Sequence, residues 1–83
     1  MSQVFGQKMR FLRRYCRLSQ AQVGKIMHLD RSSIAYYETG KVEPKISSLL
    51  AFARLYRVTL ESLCDDSLPL VFLQEKKRDD PIL

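Results

Sequence analysis

Apolar residues recur at intervals of three and four along most of the chain, and this spacing predicts a series of short helices. The clearest examples lie in residues 18–44, where Val23 and Met27 are spaced i,i+4 and Ile34 and Tyr37 are spaced i,i+3. Such spacing places both members of a pair on one helical face. Because the two pairs are separated by a short polar interval, the stretch predicts a helix, a tight turn and a second helix.

Both helices of this pair carry start and stop signals. Ser19 and Asp30 precede them, and a short side-chain oxygen at an N-cap accepts hydrogen bonds from free backbone N–H groups. Gly40 can take the left-handed conformation that ends a helix, and Pro44 prevents the helix from resuming. His28 lies in the turn, and histidine is among the non-glycine residues that tolerate a positive φ.

The same apolar spacing predicts three further helices. The first begins at Phe5 or Gly6 and ends near Tyr15, the fourth covers residues 47–56, and the fifth is short and has Thr59 as its N-cap. The predicted inward positions are Phe5, Met9, Leu12, Cys16, Ile46, Leu49, Phe52, Ala53, Tyr56, Val58 and Leu63, whereas Leu60 is predicted to lie partly outward. The pattern therefore predicts an all-α domain of five helices within residues 1–66.

Residues 67–83 break this pattern and are predicted to form a separate tail. Six apolar residues, Leu68 to Leu73, precede a run of charged residues. An apolar run this short is compatible with either a helix or a strand. Two positions are open for it: it folds back over Phe11, Tyr15 and Ile26, or it packs against a second subunit. We favour the contact with a second subunit.

Charge is distributed unevenly along the chain, whose formal net charge is +5. Through Arg57, eleven basic and three acidic residues give +8, whereas from Val58 onward three basic and six acidic residues give −3. A positive field attracts polyanions, and DNA binding gains free energy when condensed counterions are released. Basic surfaces also serve solubility, so the charge indicates nucleic-acid binding only in combination with a motif.

The sequence contains no recognisable catalytic or metal-binding constellation. Cys16 and Cys64 are far apart, and the single histidine, His28, does not complete a metal shell with them. Ser/His/Asp spacing, paired carboxylates and a phosphate-binding glycine loop are all lacking, so we expect neither an enzyme nor a cofactor. The chain shows no secretory signal and no apolar run of about 20 residues, which predicts a soluble cytoplasmic protein without membrane contact.

Residues 18–44 and their flanks resemble the phage-repressor-like (Xre-type) helix-turn-helix family. The matching positions are Gly6 to Arg14, Leu18 to Gln20, Ile34, Glu38, Gly40, Lys41 and Pro44. The resemblance covers about Phe5 to Leu63 in register and implies a five-helix, lambda-repressor-like DNA-binding domain. Arg17, His28 and Arg57 stand where the family usually has glycine, which predicts modest stability.

The resemblance, together with the docking geometry of helix-turn-helix proteins, implies roles for particular side chains. The recognition helix, residues 31–38, is expected to present five side chains to base edges: Arg31, Ser32, Ser33, Ala35 and Tyr36. For Tyr36 a sugar or phosphate contact is also open, and Ser32 and Ser33 can instead be solvated. Phosphate contacts are expected from Arg10, Gln20, Lys41 and Lys45. Arg13 and Glu38 are implied to form a structural ion pair, and a free surface position for Arg13 is the alternative.

These expectations combine into a transcriptional repressor that binds double-stranded DNA as a homodimer on a palindromic operator. Contacts to the second subunit, or to another protein partner, are expected from Leu60, Leu63, Leu70, Val71, Phe72 and Leu73. The alternative is an antitoxin-type interaction protein that binds its partner through the tail and represses its own operon. The sequence does not distinguish activation from repression and does not identify the operator.

Overall fold

A computed structural model describes residues 3–73, and this part of the chain contains five α-helices. They are α1 (Gln3–Tyr15), α2 (Gln20–Met27), α3 (Arg31–Thr39), α4 (Ile46–Tyr56) and α5 (Leu60–Cys64). The predicted all-α, five-helix fold is confirmed. None of these helices is both long and apolar enough to cross a membrane.

The helix starts follow the predicted caps with one exception. Ser19 accepts a hydrogen bond from the backbone N–H of Gln22, and the Gln22 side chain accepts from the N–H of Ser19, which completes a capping box. The Thr59 hydroxyl accepts from the N–H of Ser62 at the start of α5. Asp30 lies at the N-cap of α3, but its side chain makes no capping hydrogen bond, so that part of the prediction was wrong.

Three non-glycine residues adopt positive φ where helices end. Arg17, His28 and Arg57 have φ values of 60°, 59° and 57°, and they follow α1, α2 and α4 respectively. These are the three positions at which the sequence has a side chain in place of the expected glycine. A left-handed conformation costs an L-residue roughly 1–2 kcal/mol, so the short connections are made at some expense in stability.

One apolar core lies between the helices. Its buried members are Phe5, Met9, Leu12, Val23, Ile34, Tyr37, Leu49, Phe52, Ala53, Tyr56, Val58 and Leu63. Leu60 is exposed as predicted, but two residues predicted to face inward, Cys16 and Ile46, are exposed as well. Each lies at or beside a helix end, where the next turn that would cover an inward side chain is missing.

Helix α1 approaches the C-terminal end of α3 very closely at Gly6. A Cβ atom built on Gly6 would lie 2.2 Å from the carbonyl oxygen of Glu38, a distance that no side chain at this position permits. Gly24 is similarly constrained, because a Cβ there would lie 2.7 Å from the carbonyl oxygen of Leu29 in the turn. Glycine at these two positions therefore sets how closely α1, α2 and α3 pack.

The described part of the tail folds back onto its own domain. Phe72 forms an antiparallel β-bridge with Val58, and the centre of its ring lies 5.6 Å from the centre of the Tyr15 ring. Leu70 packs against the core. Of the two positions left open by the sequence, the intramolecular one is therefore occupied, although Val71, Phe72 and Leu73 remain exposed. Residues 74–83, which include the charged run, lie outside the described residues, and the domain boundary at residue 66 remains a prediction.

Candidate nucleic-acid interface

The outer face of α3 carries the side chains predicted to contact bases. Ile34 and Tyr37 on the opposite face are buried, so the rotation of the helix about its own axis is fixed by the core. The five predicted base contacts all reach the surface: Arg31, Ser32 and Tyr36 are exposed, and Ser33 and Ala35 are half-buried. Because the serine and alanine side chains are small, the helix backbone can approach the floor of a major groove.

The turn before α3 is set by backbone contacts. The N–H of Leu29 donates to the carbonyl oxygen of Gly24 at 2.8 Å, and His28 takes the left-handed conformation that this turn requires. The carbonyl of Asp30 then accepts from the N–H groups of Ser33 and Ile34 and begins α3. The angle between α2 and α3 consequently depends on the backbone and on the small residue at position 24.

The carboxylate of Glu38 is the centre of a buried polar network at the other end of α3. Its two oxygens accept from Arg13 Nε at 2.6 Å and from Arg13 Nη2 at 3.1 Å, and a third donor of the same guanidinium, Nη1, donates to the Leu18 carbonyl at 2.9 Å. The Glu38 side chain is 1% exposed and that of Arg13 is 11% exposed. The structure thus contains the ion pair implied by the resemblance.

The same carboxylate contributes to raised pKa values in two neighbouring groups. The hydrogen bond to Glu38 raises the pKa of the Arg13 guanidinium, which therefore remains a cation at any physiological pH. Burial, with a smaller contribution from the Glu38 charge, raises the pKa of Tyr56 far above its ordinary value, so its phenol stays neutral. The network therefore holds one buried carboxylate against one buried cation.

Glu38 also positions two of the residues predicted to bind phosphate. Gln20 Nε2 donates to Glu38 Oε1 at 3.2 Å, and Arg10 Nε lies 3.5 Å from the same oxygen. The Arg10 side chain is 41% exposed, so most of its donors still face solvent. Both side chains lie beside the start of α2, where free backbone N–H groups and the helix dipole favour an anion.

The loop after α3 supplies the other two predicted phosphate contacts. Gly40 has φ +79° and ends the helix, after which Lys41 and Lys45 are both exposed. The Lys41 ammonium lies 4.8 Å from the centre of the Tyr36 ring, an arrangement that favours a cation–π contact. A predicted base contact and a predicted phosphate contact are therefore neighbours on one surface.

The residues predicted to contact a second subunit fall into two groups. Leu60, Val71, Phe72 and Leu73 are exposed at 37–50%, and Leu70 is half-buried against the core. Leu63 is fully buried, because α5 turns this side chain into the core, and it cannot contact a partner. The prediction for Leu63 was therefore wrong.

One strong polar contact was not predicted from the sequence. The Lys8 ammonium donates to the carbonyl oxygens of Ser62, Asp65 and Leu68 at 2.6, 2.8 and 2.7 Å, and so joins α1 to the end of α5 and the start of the tail. No local pattern identifies such a lysine, because the three carbonyl groups come together only in the folded chain.

Comparison with known proteins agrees with this geometry. A family model described as a helix-turn-helix domain matches residues 4–64, which extend from α1 to the last residue of α5. Neither a curated protein nor a solved structure matches the chain. Helix-turn-helix domains recognise DNA by placing their second helix in the major groove, and in this chain that helix is α3.

Proposed function

Because the chain belongs to the helix-turn-helix domain family, which binds DNA sequence-specifically, we propose that it is a transcriptional repressor. The proposed repressor is cytoplasmic and phage-repressor-like (Xre-type), and it acts as a homodimer on a palindromic operator. In this proposal α3 lies in the major groove. Two copies place their α3 helices in successive major grooves about 34 Å apart, which is the repeat of a two-fold symmetric operator.

The observation that carries the proposal is the division of α3 into two faces. Ile34 and Tyr37 are buried and fix the core-facing side. The outer side presents Arg31, two serines, Ala35 and Tyr36 at the surface. Arg31 can donate two hydrogen bonds to O6 and N7 of guanine, and the Ala35 methyl group can contact thymine. This face is suited to reading base edges.

The surroundings of α3 supply the positioning contacts of the proposal. Arg10 and Gln20 contact Glu38 near the C-terminal end of α3, and Lys41 and Lys45 follow that same end in the chain. Contacts of this kind fix the register of a protein on the duplex without carrying sequence information. A single domain of this size makes few base contacts, which favours binding as a dimer.

The experiment that tests the proposal combines selection from random-sequence double-stranded DNA with sedimentation velocity of the full chain. We expect enrichment of a palindrome and a complex of two chains per duplex. Enrichment of an asymmetric half-site by one chain would contradict the homodimer and retain DNA recognition. A failure to enrich any sequence would contradict the function itself.

A second candidate is an antitoxin-type protein that binds a heterologous partner through the tail and represses its own operon. The observation in its favour is the exposed apolar surface of Val71, Phe72 and Leu73, which lies apart from α3 in the chain and carries no charged side chain. Purification from the native host separates the candidates, because a stoichiometric foreign protein is expected only for the antitoxin. A co-purifying partner that is lost with Val71→Lys would favour this second candidate.

A further inference from the structure

The tail presents an unpaired backbone edge at Phe72. The N–H of Thr59 donates to the Val71 carbonyl at 2.9 Å, and the N–H of Leu73 donates to the Arg57 carbonyl at 2.8 Å. These two bonds flank the pair of Val58 and Phe72, which is therefore a non-hydrogen-bonded pair of an antiparallel ladder. It follows that the N–H and C=O groups of Phe72 point away from Val58, and within the described residues neither group forms a hydrogen bond.

Apolar side chains accompany this edge on both faces. Val71 and Leu73 are 48% and 50% exposed, and Phe72, which alternates with them, packs its ring against Tyr15. Exposed edges in natural proteins are commonly protected from pairing by charged side chains or proline. Residues 71–73 contain neither, so this edge has no such protection within the described part of the chain.

The edge is also ordered before any partner arrives. The N–H of Val71 donates to the Ser62 hydroxyl at 3.0 Å, and the Lys8 ammonium holds the Leu68 carbonyl at 2.7 Å. Together with the two bonds to Arg57 and Thr59, these contacts fix the chain direction on both sides of Phe72. A preordered strand loses less conformational entropy on association than a free segment does.

We propose that residues 71–73 are the dimer contact and pair antiparallel with residues 71–73 of a second copy, with the two-fold axis at Phe72. The N–H of Phe72 donates to the carbonyl of the partner's Phe72, and the reciprocal bond forms by symmetry. With the axis at Phe72, the outward N–H and C=O of this residue both pair with the same residue of the second copy. Each copy therefore uses the same surface, as an isologous interface requires. This inference rests on the proposed homodimer and names the surface that forms it.

The proposal fixes a register that can be tested by disulfide formation. Position 72 lies opposite position 72, and position 71 lies opposite position 73 of the second copy. Directly opposed residues have Cα atoms about 4.5–5.5 Å apart, within the range that a disulfide spans. Two residues at position 71 are instead diagonal to each other and farther apart.

The experiment uses the full chain in which Cys16 and Cys64 are replaced by serine. Val71→Cys protein and tagged Leu73→Cys protein are mixed and mildly oxidised, and the tag resolves mixed from like-with-like dimers. We expect the mixed disulfide to exceed either like-with-like product several-fold. Ile26→Cys is the matched control, because Ile26 is equally exposed at 49% but lies on α2, and it should form only background disulfide.

Several outcomes would overturn this interface. The first is an equal yield of mixed and like-with-like disulfides, and the second is a mixed-disulfide yield no higher than that of Ile26→Cys. The third is a chain that stays monomeric at every concentration with and without DNA. A heterologous protein linked to Phe72→Cys in the native host, in place of a second copy, would also overturn it.

A second pair of variants isolates the backbone bond. Phe72→Ala and Phe72→Pro both lose the ring contact with Tyr15, but only proline also removes the outward N–H. We expect the dimer dissociation constant of Phe72→Pro to exceed that of Phe72→Ala by at least about tenfold, since both symmetric hydrogen bonds are lost. Equal constants would exclude the edge pairing. Palindrome selection by the wild-type chain is scored separately, so loss of this interface with selection intact leaves the DNA-binding function standing.

Discussion

At the scale of single residues, the buried carboxylate of Glu38 is the position where the largest effect on stability is expected. Glu38→Ala leaves the mostly buried Arg13 guanidinium without its counter-ion, and breaking a buried pair from one side costs about 3–5 kcal/mol. Urea denaturation measures the change. Glu61→Ala, at an exposed acidic position on α5, should change the free energy of unfolding by less than about 0.5 kcal/mol.

A double variant separates loss of the pair from loss of packing. Arg13→Met combined with Glu38→Met removes both charges and keeps apolar volume, so it should be less destabilised than Glu38→Ala alone. A Glu38→Ala protein as stable as wild type would show that hydration of the Arg13 guanidinium compensates for the lost carboxylate. The ion pair would then contribute little to stability.

Two exposed cations on the proposed DNA surface should behave differently. Arg31→Ala is expected to relax base preference at one position of the operator, at about 1–3 kcal/mol, because a bidentate contact to guanine is lost. Lys41→Ala should weaken binding to specific and random DNA alike and reduce the salt slope by about one. Binding isotherms on both kinds of DNA at several salt concentrations measure the difference. Identical profiles for the two variants would contradict the assigned roles.

At the scale of helices, the two N-caps of the helix-turn-helix should differ in importance. Ser19→Ala removes a side-chain bond of the capping box and should destabilise the domain by about 1 kcal/mol. Asp30→Ala removes no capping bond, so only a favourable charge at the N-terminus of α3 is lost, worth about 0.3–1 kcal/mol at most. Thermal denaturation ranks them, and equal losses would mean that Asp30 caps α3 in solution.

Helix positions were predictable from the sequence because their signals are local. Caps, glycine and apolar spacing act within a few residues, and the predicted N-cap of α2, Ser19, agrees with the structure. Local signals were less reliable at helix ends, where Ile46 and Cys16 turn outward. The close approach of Gly6 to the Glu38 carbonyl could not be predicted, because it depends on two helices that are distant in sequence. The identities of the residues on the outer face of α3 follow from the rotation of this helix, which its buried positions predict.

At the scale of the whole molecule, the position of the tail was the main uncertainty. An apolar run of six residues carries no period long enough to distinguish strand from helix or an internal from an external contact. Its placement depends on groups from α1, from α5 and from the segment between α4 and α5, which meet only after folding. The bridge to Val58 and the lysine that holds the tail turn are therefore results of the three-dimensional structure alone.

Lys8 links the first helix to the described part of the tail, and its removal should loosen the tail without unfolding the domain. Lys8→Met keeps most of the aliphatic stem and removes the ammonium that three carbonyl oxygens share. Hydrogen bonds to a charged group contribute about 1.5–3 kcal/mol each in favourable settings, and the partial exposure of this site lowers that value. The expected loss is therefore about 2 kcal/mol, concentrated in the docking of the tail and α5.

Amide hydrogen exchange can locate that loss. The N–H groups of Val71 and Leu73 are hydrogen-bonded only while the tail is docked, so both should exchange faster in Lys8→Met, whereas core amides of α1 should change little. Lys25→Met, at an exposed position on α2, is the matched control and should leave both amides protected. If both amides exchange as slowly in Lys8→Met as in wild type, the tail is held by its apolar contacts and the bridge to Val58. The ammonium then serves only to neutralise the three carbonyl oxygens at the end of α5 and the start of the tail.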